Sequence, residues 1–296
     1  MTFAEQLKNS RRQAGLSQEQ LAEQLGVSRQ AITKWETGAG MPEAENLLRL
    51  ASLFGLSLDT FFSQSAGKQA ARAFLYESVT EYDIDESKHY DMKLGAATRL
   101  ILSGSEGEKL RVRLLSNTMP SLQKDFKVKI EDIRQRIRID VQILRKNGVS
   151  ETAAREALTI QVEVPCPYLL QLEAAIHAEE IELRALPCPH TELEARCRRL
   201  LLEGVEGTVE VDCNEDMEIN CRELKGRLEI NQLSAVSRLL LPRGLCFTAG
   251  CGRSSTLLYA RAGKPAEDFS APEAALHIQL NGSRNELTIE EQAPQA

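Results

Sequence analysis

The side chains best suited to chemistry in this sequence are four polar ones that fall close together, at Arg29, Gln30, Thr33 and Lys34. The guanidinium group of arginine fits the O6 and N7 acceptors of guanine, and the carboxamide of glutamine fits adenine. A helix can enter the major groove of DNA, where each base pair presents a distinct pattern of donors and acceptors. The spacing therefore predicts a helix that directs these four side chains toward bases, with Ile32 and Trp35 packed behind them.

Five short helices over residues 2–62 are predicted to hold that polar face in position. Their start and stop signals are two capping boxes, a helix-ending glycine, an N-cap serine and a first-turn proline: Thr2 with Glu5, Ser17 with Gln20, Gly26, Ser28 and Pro42. Apolar residues such as Leu21, Leu25 and Phe54 recur at helical spacing and are expected to face inward. The pattern predicts a compact five-helix bundle over residues 1–66, followed by a linker at 67–75.

The segment from Leu16 to Gly38 resembles the helix-turn-helix of the phage-repressor (Xre) type, and the resemblance extends over residues 3–62. It implies that the polar face enters the major groove and that the following side chains point toward bases: Arg29, Gln30, Lys34 and Thr33. It also implies that three residues lie near phosphates, through their side chains and helix N-termini: Gln18, Ser28 and Thr37.

The same resemblance implies a structural pair, in which Arg11 and Glu36 lock the first helix against the third. In one position this chain departs from the family. Many members carry a lysine or arginine after the glycine at position 38, where this chain has Ala39-Gly40-Met41. One phosphate contact that is common in the family is therefore not expected here.

The second half of the chain changes to a period of two, which is typical of half-buried strands. Alternating segments cover residues 126–130, 137–143 and 158–164. Beyond them, apolar strand centres recur so that two strands fall in about every 19 residues: Leu201, Val211, Ile219, Ile230, Leu239, Phe247 and Leu258. A short fixed period predicts an all-β repeat domain over residues 76–291, either a solenoid or an antiparallel sandwich. Residues 292–296 are expected to form a disordered tail.

A second, less specific resemblance concerns this β-rich half. Asp91-Met-Lys-Leu-Gly, the segment 99–104, the segment 110–114 and the run at 158–165 resemble the opening of an adhesin-like β-repeat family of bacteria. That family implies the β fold and offers no catalytic residues. Its adhesin label implies export, whereas the first half implies a protein that meets DNA, so only the fold is taken from it.

Composition limits the alternatives. The chain has 296 residues, enough for two domains, and a formal net charge of −7. The balance reverses within residues 1–35, which hold five basic and three acidic side chains. No segment is long and apolar enough for a membrane span or a secretory signal, so a cytoplasmic protein is expected. The seven cysteines and four histidines lack the close spacing of metal ligands, and neither a metal nor a cofactor is expected.

Two other regulators with this kind of first domain fit the sequence less well. A self-cleaving repressor needs a nucleophilic serine and a lysine base, and Ala66-Gly67 would be its cleavage site. The serine-methionine motif of such repressors is absent. A cupin-type sensor needs a His-x-His metal motif, whereas the four histidines stand alone: His89, His177, His190 and His277.

An enzyme hypothesis remains, in which Cys188 and His190 act with Glu192 or Glu194 as a hydrolase. A turn of the β repeat explains the same residues more simply, and the chain is not expected to be an enzyme. We expect a sequence-specific regulator, acting as a repressor, that binds a pseudo-palindromic operator in double-stranded DNA as a homodimer. The β-repeat domain would serve oligomerisation or receive a protein or small-molecule signal. The alternative is a helix-turn-helix adaptor that anchors a β-repeat scaffold to a protein partner.

Overall fold

The computed structural model describes residues 7–8, 10–11, 16–36, 40, 42, 46, 49–50, 53–54, 74–144 and 148–292. The chain divides into two compact units, Met1–Ala73 and Phe74–Ala296. Among the described residues, no helix is both long and apolar enough to span a lipid bilayer.

In the described part of the first unit two helices are complete, α1 (Gln18–Leu25) and α2 (Arg29–Glu36). A complete capping box begins α1, because Ser17 Oγ accepts from the Gln20 amide and the Gln20 side chain accepts from the Ser17 amide. Gly26 ends α1 with a φ of 69°, a left-handed conformation that costs glycine little. The buried apolar residues that pack together are Leu7, Leu21, Ala22, Leu25, Ile32, Trp35 and Leu50.

The expected five-helix bundle is not what the described residues contain. Four α-helices are complete among them, α1 and α2 here and two short ones in the second unit, Leu122–Asp125 (α3) and Glu151–Ala157 (α4). Helical backbone also occurs at residues 7–8, 10–11, 46, 49–50 and 53–54. The predicted fifth helix at 57–62, the linker residues 67–73 and the tail residues 293–296 lie outside the described residues.

The second unit is β-rich, with sixteen strands described in one sheet that does not close on itself. The strands are β1 (Tyr76–Asp83), β2 (Lys88–Ser105), β3 (Lys109–Ser116), β4 (Phe126–Ile133), β5 (Arg136–Ile143), β6 (Thr159–Pro165), β7 (Leu169–Arg196), β8 (Arg199–Asp212), β9 (Glu218–Cys221), β10 (Leu224–Leu233), β11 (Val236–Leu241), β12 (Phe247–Cys251), β13 (Ser255–Arg261), β14 (Lys264–Ala266), β15 (Leu276–Ser283) and β16 (Asn285–Glu291).

Of the fifteen strand pairings described, eleven are parallel. Four of these join strands about one sequence repeat apart, namely β7–β8, β8–β9, β8–β10 and β9–β11. Val205 pairs with Leu224, and Leu200 pairs with Ile219, each nineteen residues later. Ion pairs repeat at the same separation, as between Arg222 and Glu203 at 3.2 Å. Parallel in-register pairing of this kind is not that of an antiparallel sandwich, the alternative considered above.

Two ladders of strands result. Ladder A consists of the second half of β8 with β10, β15 and β12, and ladder B consists of the first half of β8 with β9, β11, β16, β13 and β14. The apolar spacing predicted two strands centred on Leu201 and Val211. That prediction is wrong, because both residues lie on the single strand β8, which belongs to both ladders. The strand bends between them at Gly204 and Gly207, which have φ values of 67° and 101°.

Tight backbone packing explains the glycines at these bends. A Cβ on Gly207 would overlap the carbonyl oxygen of Cys188, and a Cβ on Gly226 would overlap the carbonyl oxygen of Gly207. Cys188, Gly207 and Gly226 are nineteen residues apart and lie on three successive paired strands, β7, β8 and β10. Each of these two glycines therefore has to lack a Cβ, because the backbone of the preceding strand occupies that space.

The order of strands at the far end does not follow the sequence. β15 lies between β10 and β12, and β16 lies between β11 and β13, with every one of these pairs parallel. The outermost strands are thus β12, β13 and β14. Phe269 covers the apolar end there, with its ring centroid 5.5 Å from that of Phe247 and 5.6 Å from that of Tyr259.

Candidate nucleic-acid interface

The exposed face of α2 carries the four polar side chains that the sequence singled out. Arg29, Gln30, Thr33 and Lys34 are all exposed to solvent. On the opposite side of the same helix, Ile32 and Trp35 are buried against the first unit's core. The helix therefore presents a continuous polar surface whose backbone is fixed from behind.

The side chains of Arg29 and Thr33 already have partners within the protein. Arg29 Nη1 lies 3.5 Å from Glu19 Oε2, in an exposed ion pair between α1 and α2. Thr33 Oγ1 donates to the Arg29 carbonyl oxygen at 3.1 Å. A ligand that takes up the Arg29 guanidinium must replace a weak, solvent-screened contact with Glu19.

The residues expected near phosphates are arranged less uniformly. Ser28 Oγ accepts from the Ala31 amide at 3.2 Å and so caps α2. Gln18 is half-buried, and its Nε2 donates to Glu36 Oε2 at 2.8 Å. Thr37 lies outside the described residues. Ser28 is thus exposed at the N-terminus of α2, whereas the carboxamide of Gln18 is held by the protein itself.

A buried ion pair joins the start of the unit to the end of α2. Arg11 Nε donates to Glu36 Oε1 at 2.5 Å and Arg11 Nη2 donates to Glu36 Oε2 at 3.0 Å, in bidentate geometry. Burial of the Glu36 carboxyl opposes its charge, but hydrogen bonds from Arg11 and Gln18 outweigh burial and hold its pKa below the usual range. The hydrogen bond to Glu36 also raises the pKa of Arg11. Both groups are therefore charged at neutral pH.

Three contacts in this unit were not anticipated from the sequence. They are the Glu19–Arg29 pair, the Gln18–Glu36 hydrogen bond, and a hydrogen bond at 3.3 Å from Arg49 Nη1 to the Leu25 carbonyl oxygen. The last places a cation at the C-terminus of α1, where it opposes the helix dipole. The sequence gives one indication of these contacts. Gln18 and Glu19 are adjacent on the first turn of α1, so their side chains point in different directions and can meet different partners.

The cysteine and histidine of the hydrolase hypothesis lie in the second unit, near a bulge of β7. Cys188 is buried, and its Sγ donates to the backbone carbonyl of His190 at 3.0 Å. Burial raises the pKa of the Cys188 thiol. The His190 ring faces Glu210, with 3.8 Å between Nε2 and Oε2. A thiol with a raised pKa, bonded to a backbone oxygen, is not an activated nucleophile.

Comparison with solved structures matches the β-rich part of the chain. A candidate cell adhesion protein of Clostridium sporogenes matches 73% of this chain and 99% of its own chain, with a TM-score of 0.37 and 10% sequence identity. A candidate adhesin of Bacteroides fragilis matches 73% of this chain and 97% of its own, with a TM-score of 0.32 and 10% identity. Similarity at this level carries no functional assignment.

Comparison with sequence families matches the first unit. A helix-turn-helix family model matches residues 7–61. The HTH-type transcriptional activator BcrR of Enterococcus faecalis is 48% identical over 63 residues, which are 21% of this chain. The match spans only 31% of that activator's length.

Two further relatives are matched over most of their length. The cryptic phage CTXphi transcriptional repressor RstR of Vibrio cholerae is 30% identical over 95 residues, which are 32% of this chain and 85% of the repressor. The HTH-type transcriptional regulator YqaE of Bacillus subtilis is 37% identical over 103 residues, which are 33% of this chain and 89% of the regulator. These matches agree with the exposed polar face of α2, and the chain belongs to the helix-turn-helix family of transcriptional regulators.

Proposed function

We propose that this protein is a sequence-specific regulator whose α2 lies in the major groove of an operator. The observation that carries the proposal is the division of α2 into an exposed face with Arg29, Gln30, Thr33 and Lys34 and a buried face with Ile32 and Trp35. A recognition helix needs both, because its polar side chains must reach base edges while its apolar side fixes its direction.

The test uses the full-length protein with Arg29→Ala and Gln30→Ala, and an operator selected from random duplexes by the unchanged protein. Each variant should lose about 1–3 kcal/mol of discrimination between that operator and a scrambled duplex, because each bidentate base contact contributes about that much. Gln24→Ala is the matched control, since Gln24 is an exposed glutamine on α1. Unchanged discrimination in both α2 variants would contradict the proposal.

We further propose that the regulator acts as a repressor. The Vibrio cholerae relative, of which 85% is matched, is named a repressor. The Enterococcus faecalis relative is named an activator, but less than a third of its length is matched. A reporter gene behind the selected operator should be more active in cells that lack the protein. A reporter that falls silent in those cells would instead indicate an activator.

We propose that the second unit is a β-solenoid that joins two DNA-binding units. Parallel pairing at an offset of nineteen residues supports the solenoid. A single helix-turn-helix reads one half-site, and two copies held together gain about 10²–10⁴ in avidity if the linkers span both half-sites.

The edge of β1 is the pairing surface we favour for this dimer. β1 is eight residues long, forms one end of the strand order, and begins directly after the linker. Its outward charges are compensated from β3, as between Arg113 Nε and Glu77 Oε1 at 2.6 Å and between Arg111 Nε and Glu81 Oε1 at 2.7 Å. Compensated charges lower the repulsion that usually keeps such edges apart.

Val79→Lys tests this surface, because Val79 is exposed on β1 and a lysine there places an uncompensated charge on the edge. Val236→Lys is the control, since Val236 is exposed on β11 with a neighbouring strand on each side. Sedimentation should give a dimer for the unchanged protein and for Val236→Lys, and a monomer for Val79→Lys. A dimer that survives Val79→Lys would exclude β1 as the interface.

A further inference from the structure

Three sulfur atoms meet in the second unit, where the connection between β7 and β8 lies against the connection between β8 and β9. Cys197 Sγ lies 3.6 Å from Met217 Sδ. The side chains of Cys197 and Cys213 interact, and Cys213 Sγ lies 3.7 Å from the Cys197 carbonyl oxygen, to which it donates. The side chains of all three residues are buried, with 1–3% of their surface exposed.

The strand repeat brings these sulfurs together. Cys197 connects β7 to β8, and Cys213 and Met217 lie in the equivalent connection one repeat later. In the connection after β8, the Cys213 amide donates to the Asn231 carbonyl and the Met217 amide donates to Ser237 Oγ at 3.1 Å. In the connection after β7, the amide of Arg198 donates to the Glu179 carbonyl at 3.2 Å. The cluster is therefore formed by rigid neighbouring turns and not by a loose loop.

We propose that Cys197, Cys213 and Met217 form a three-sulfur site for a soft monovalent metal ion, Cu(I). Thiolate and thioether sulfurs select Cu(I) among the common biological metals. Zinc is a poorer fit, because structural zinc sites use four ligands drawn from cysteine, histidine and carboxylate side chains. Among the described residues, no group of three or more histidine, cysteine, aspartate or glutamate side chains forms such a site.

The charge and the proton balance of the proposed site follow from its three ligands. Binding exchanges protons for the metal, since Cu⁺ and two thiols give a bis-thiolate complex of charge −1 and two protons, with Met217 as a neutral third ligand. No electron is transferred in this step.

Two surface grooves border the cluster, and Asn214 and Glu215 line both of them. Cys213 lines a groove of about 940 Å³ with His177, Arg196 and Glu215. Met217 lines another of about 1130 Å³ with Arg198, Arg238 and Tyr259. An ion delivered as a complex with small ligands can therefore approach the buried sulfurs without opening the sheet.

Metal binding itself does not depend on DNA binding, but any effect on transcription rests on the function proposed above. A bound ion would tie the connection after β7 to the connection after β8, and so stiffen two successive repeats. We infer that this is the signal input of the β unit. A protein that binds Cu(I) but not DNA would separate the two proposals.

The experiment titrates reduced full-length protein with Cu(I) in the absence of oxygen, against the coloured chelator bicinchoninate. One equivalent per chain should be withdrawn from the chelator, and X-ray absorption of the complex should show sulfur neighbours only, three per copper. Cys197→Ala and Cys213→Ala should lose that equivalent, and Met217→Leu should lose affinity for it. Cys221→Ala and Met119→Leu are the controls, because Cys221 and Met119 are buried outside the cluster.

The absorption measurement needs no variant, so it decides the matter even if a substitution prevents folding. Withdrawal of no copper from the chelator would overturn the proposal, as would nitrogen or oxygen neighbours in the spectrum. Equal loss in Cys221→Ala would also overturn it, since the effect would then be general. Conversion of the pair to a disulfide by peroxide, in protein that withdraws no copper, would assign these cysteines to redox chemistry.

Discussion

The two units of this chain reach their stability in different ways. In the first unit, a few large residues converge on α1 and α2, and a bidentate ion pair between Arg11 and Glu36 crosses 25 positions of sequence. In the second unit, each strand of a ladder repeats the contacts of the strand before it. Loss of a single side-chain contact should therefore lower the stability of the first unit more than that of the second. In the second unit, a single substitution should have a large effect only where backbone segments are in close contact.

The two units can be followed separately in the intact protein. Trp35 is the chain's one tryptophan, and it is buried in the core of the first unit. Its fluorescence reports unfolding of that unit, whereas far-ultraviolet circular dichroism is dominated by the strands of the second. The predictions below use both signals on full-length protein.

The largest effect is expected from Gly226→Ala. Gly226 has a φ of 131°, and a Cβ there would overlap the Gly207 carbonyl oxygen. Since neither backbone segment can move without disturbing ladder A, we expect a loss of more than about 5 kcal/mol, enough to unfold the second unit. Gly107→Ala is the control, because a Cβ there meets no atom closer than 4.0 Å. If urea unfolding by circular dichroism is unchanged in Gly226→Ala, the ladders are less crowded than described.

A smaller but still large effect is expected from Arg11→Ala. Removal of one partner of a buried, hydrogen-bonded ion pair leaves the carboxylate of Glu36 uncompensated and costs roughly 3–5 kcal/mol. Arg29→Ala is the matched control, since its pair with Glu19 is exposed and should contribute less than about 1 kcal/mol. Urea unfolding followed by Trp35 fluorescence measures both. Equal midpoints in the two variants would show that the Arg11 pair does not hold the unit together.

The Glu36 carboxyl should also make the first unit sensitive to acid. Its pKa is lowered in the folded state, so its stabilising contribution is complete above the unfolded pKa of about 4.3 and is lost as the pH falls through the folded pKa. The urea midpoint of unfolding, followed by Trp35 fluorescence, should therefore decrease as the pH is lowered below about 5. This decrease should be smaller in Glu36→Gln. Glu19→Gln should retain the dependence, because no comparable burial surrounds Glu19. An identical acid profile in Glu36→Gln would assign the sensitivity to other groups.

The smallest effect is expected from Arg222→Ala on the surface of the second unit. Arg222 and Glu203 are 3.2 Å apart but largely exposed, and exposed pairs contribute less than about 1 kcal/mol. Circular dichroism in urea should show a midpoint close to that of the unchanged protein. A loss as large as that of Arg11→Ala would remove the distinction between the two units.

In the first unit, features that depend on residues close together in sequence could be predicted, and contacts between distant residues could not. The capping box at Ser17, the αL stop at Gly26 and the inward faces of Ile32 and Trp35 are local patterns, and all of them could be predicted. The Arg29–Glu19 pair could not, because it depends on the angle between two helices. Arg11 and Glu36 are 25 positions apart, and only the family resemblance suggested that they meet.

In the second unit the sequence predicted strands but not their connections. Every apolar centre from Leu201 to Leu258 lies in a strand, as the period of about 19 residues predicted. The apolar spacing predicts separate strands at Leu201 and Val211, whereas both lie on β8. Glycines such as Gly204 and Gly207 indicate a turn but do not show whether strand pairing continues through it. The sulfur cluster escaped the sequence analysis for a similar reason, since Cys197 and Met217 are brought together only by the repeat.

The position of β15 and β16 between earlier strands has a consequence for how this chain folds. A repeat protein usually grows by adding each new strand to the one just formed, so its order of assembly follows its sequence. Here β12 and β13 pair not with β10 and β11 but with β15 and β16, so they cannot take their places until residues 276–291 have been added. Residues 247–266 must therefore remain unpaired with the ladders until β15 and β16 have paired with β10 and β11. Moving residues 276–291 to follow Leu241 directly would restore growth in sequence order, and it would turn a delayed insertion into a simple extension.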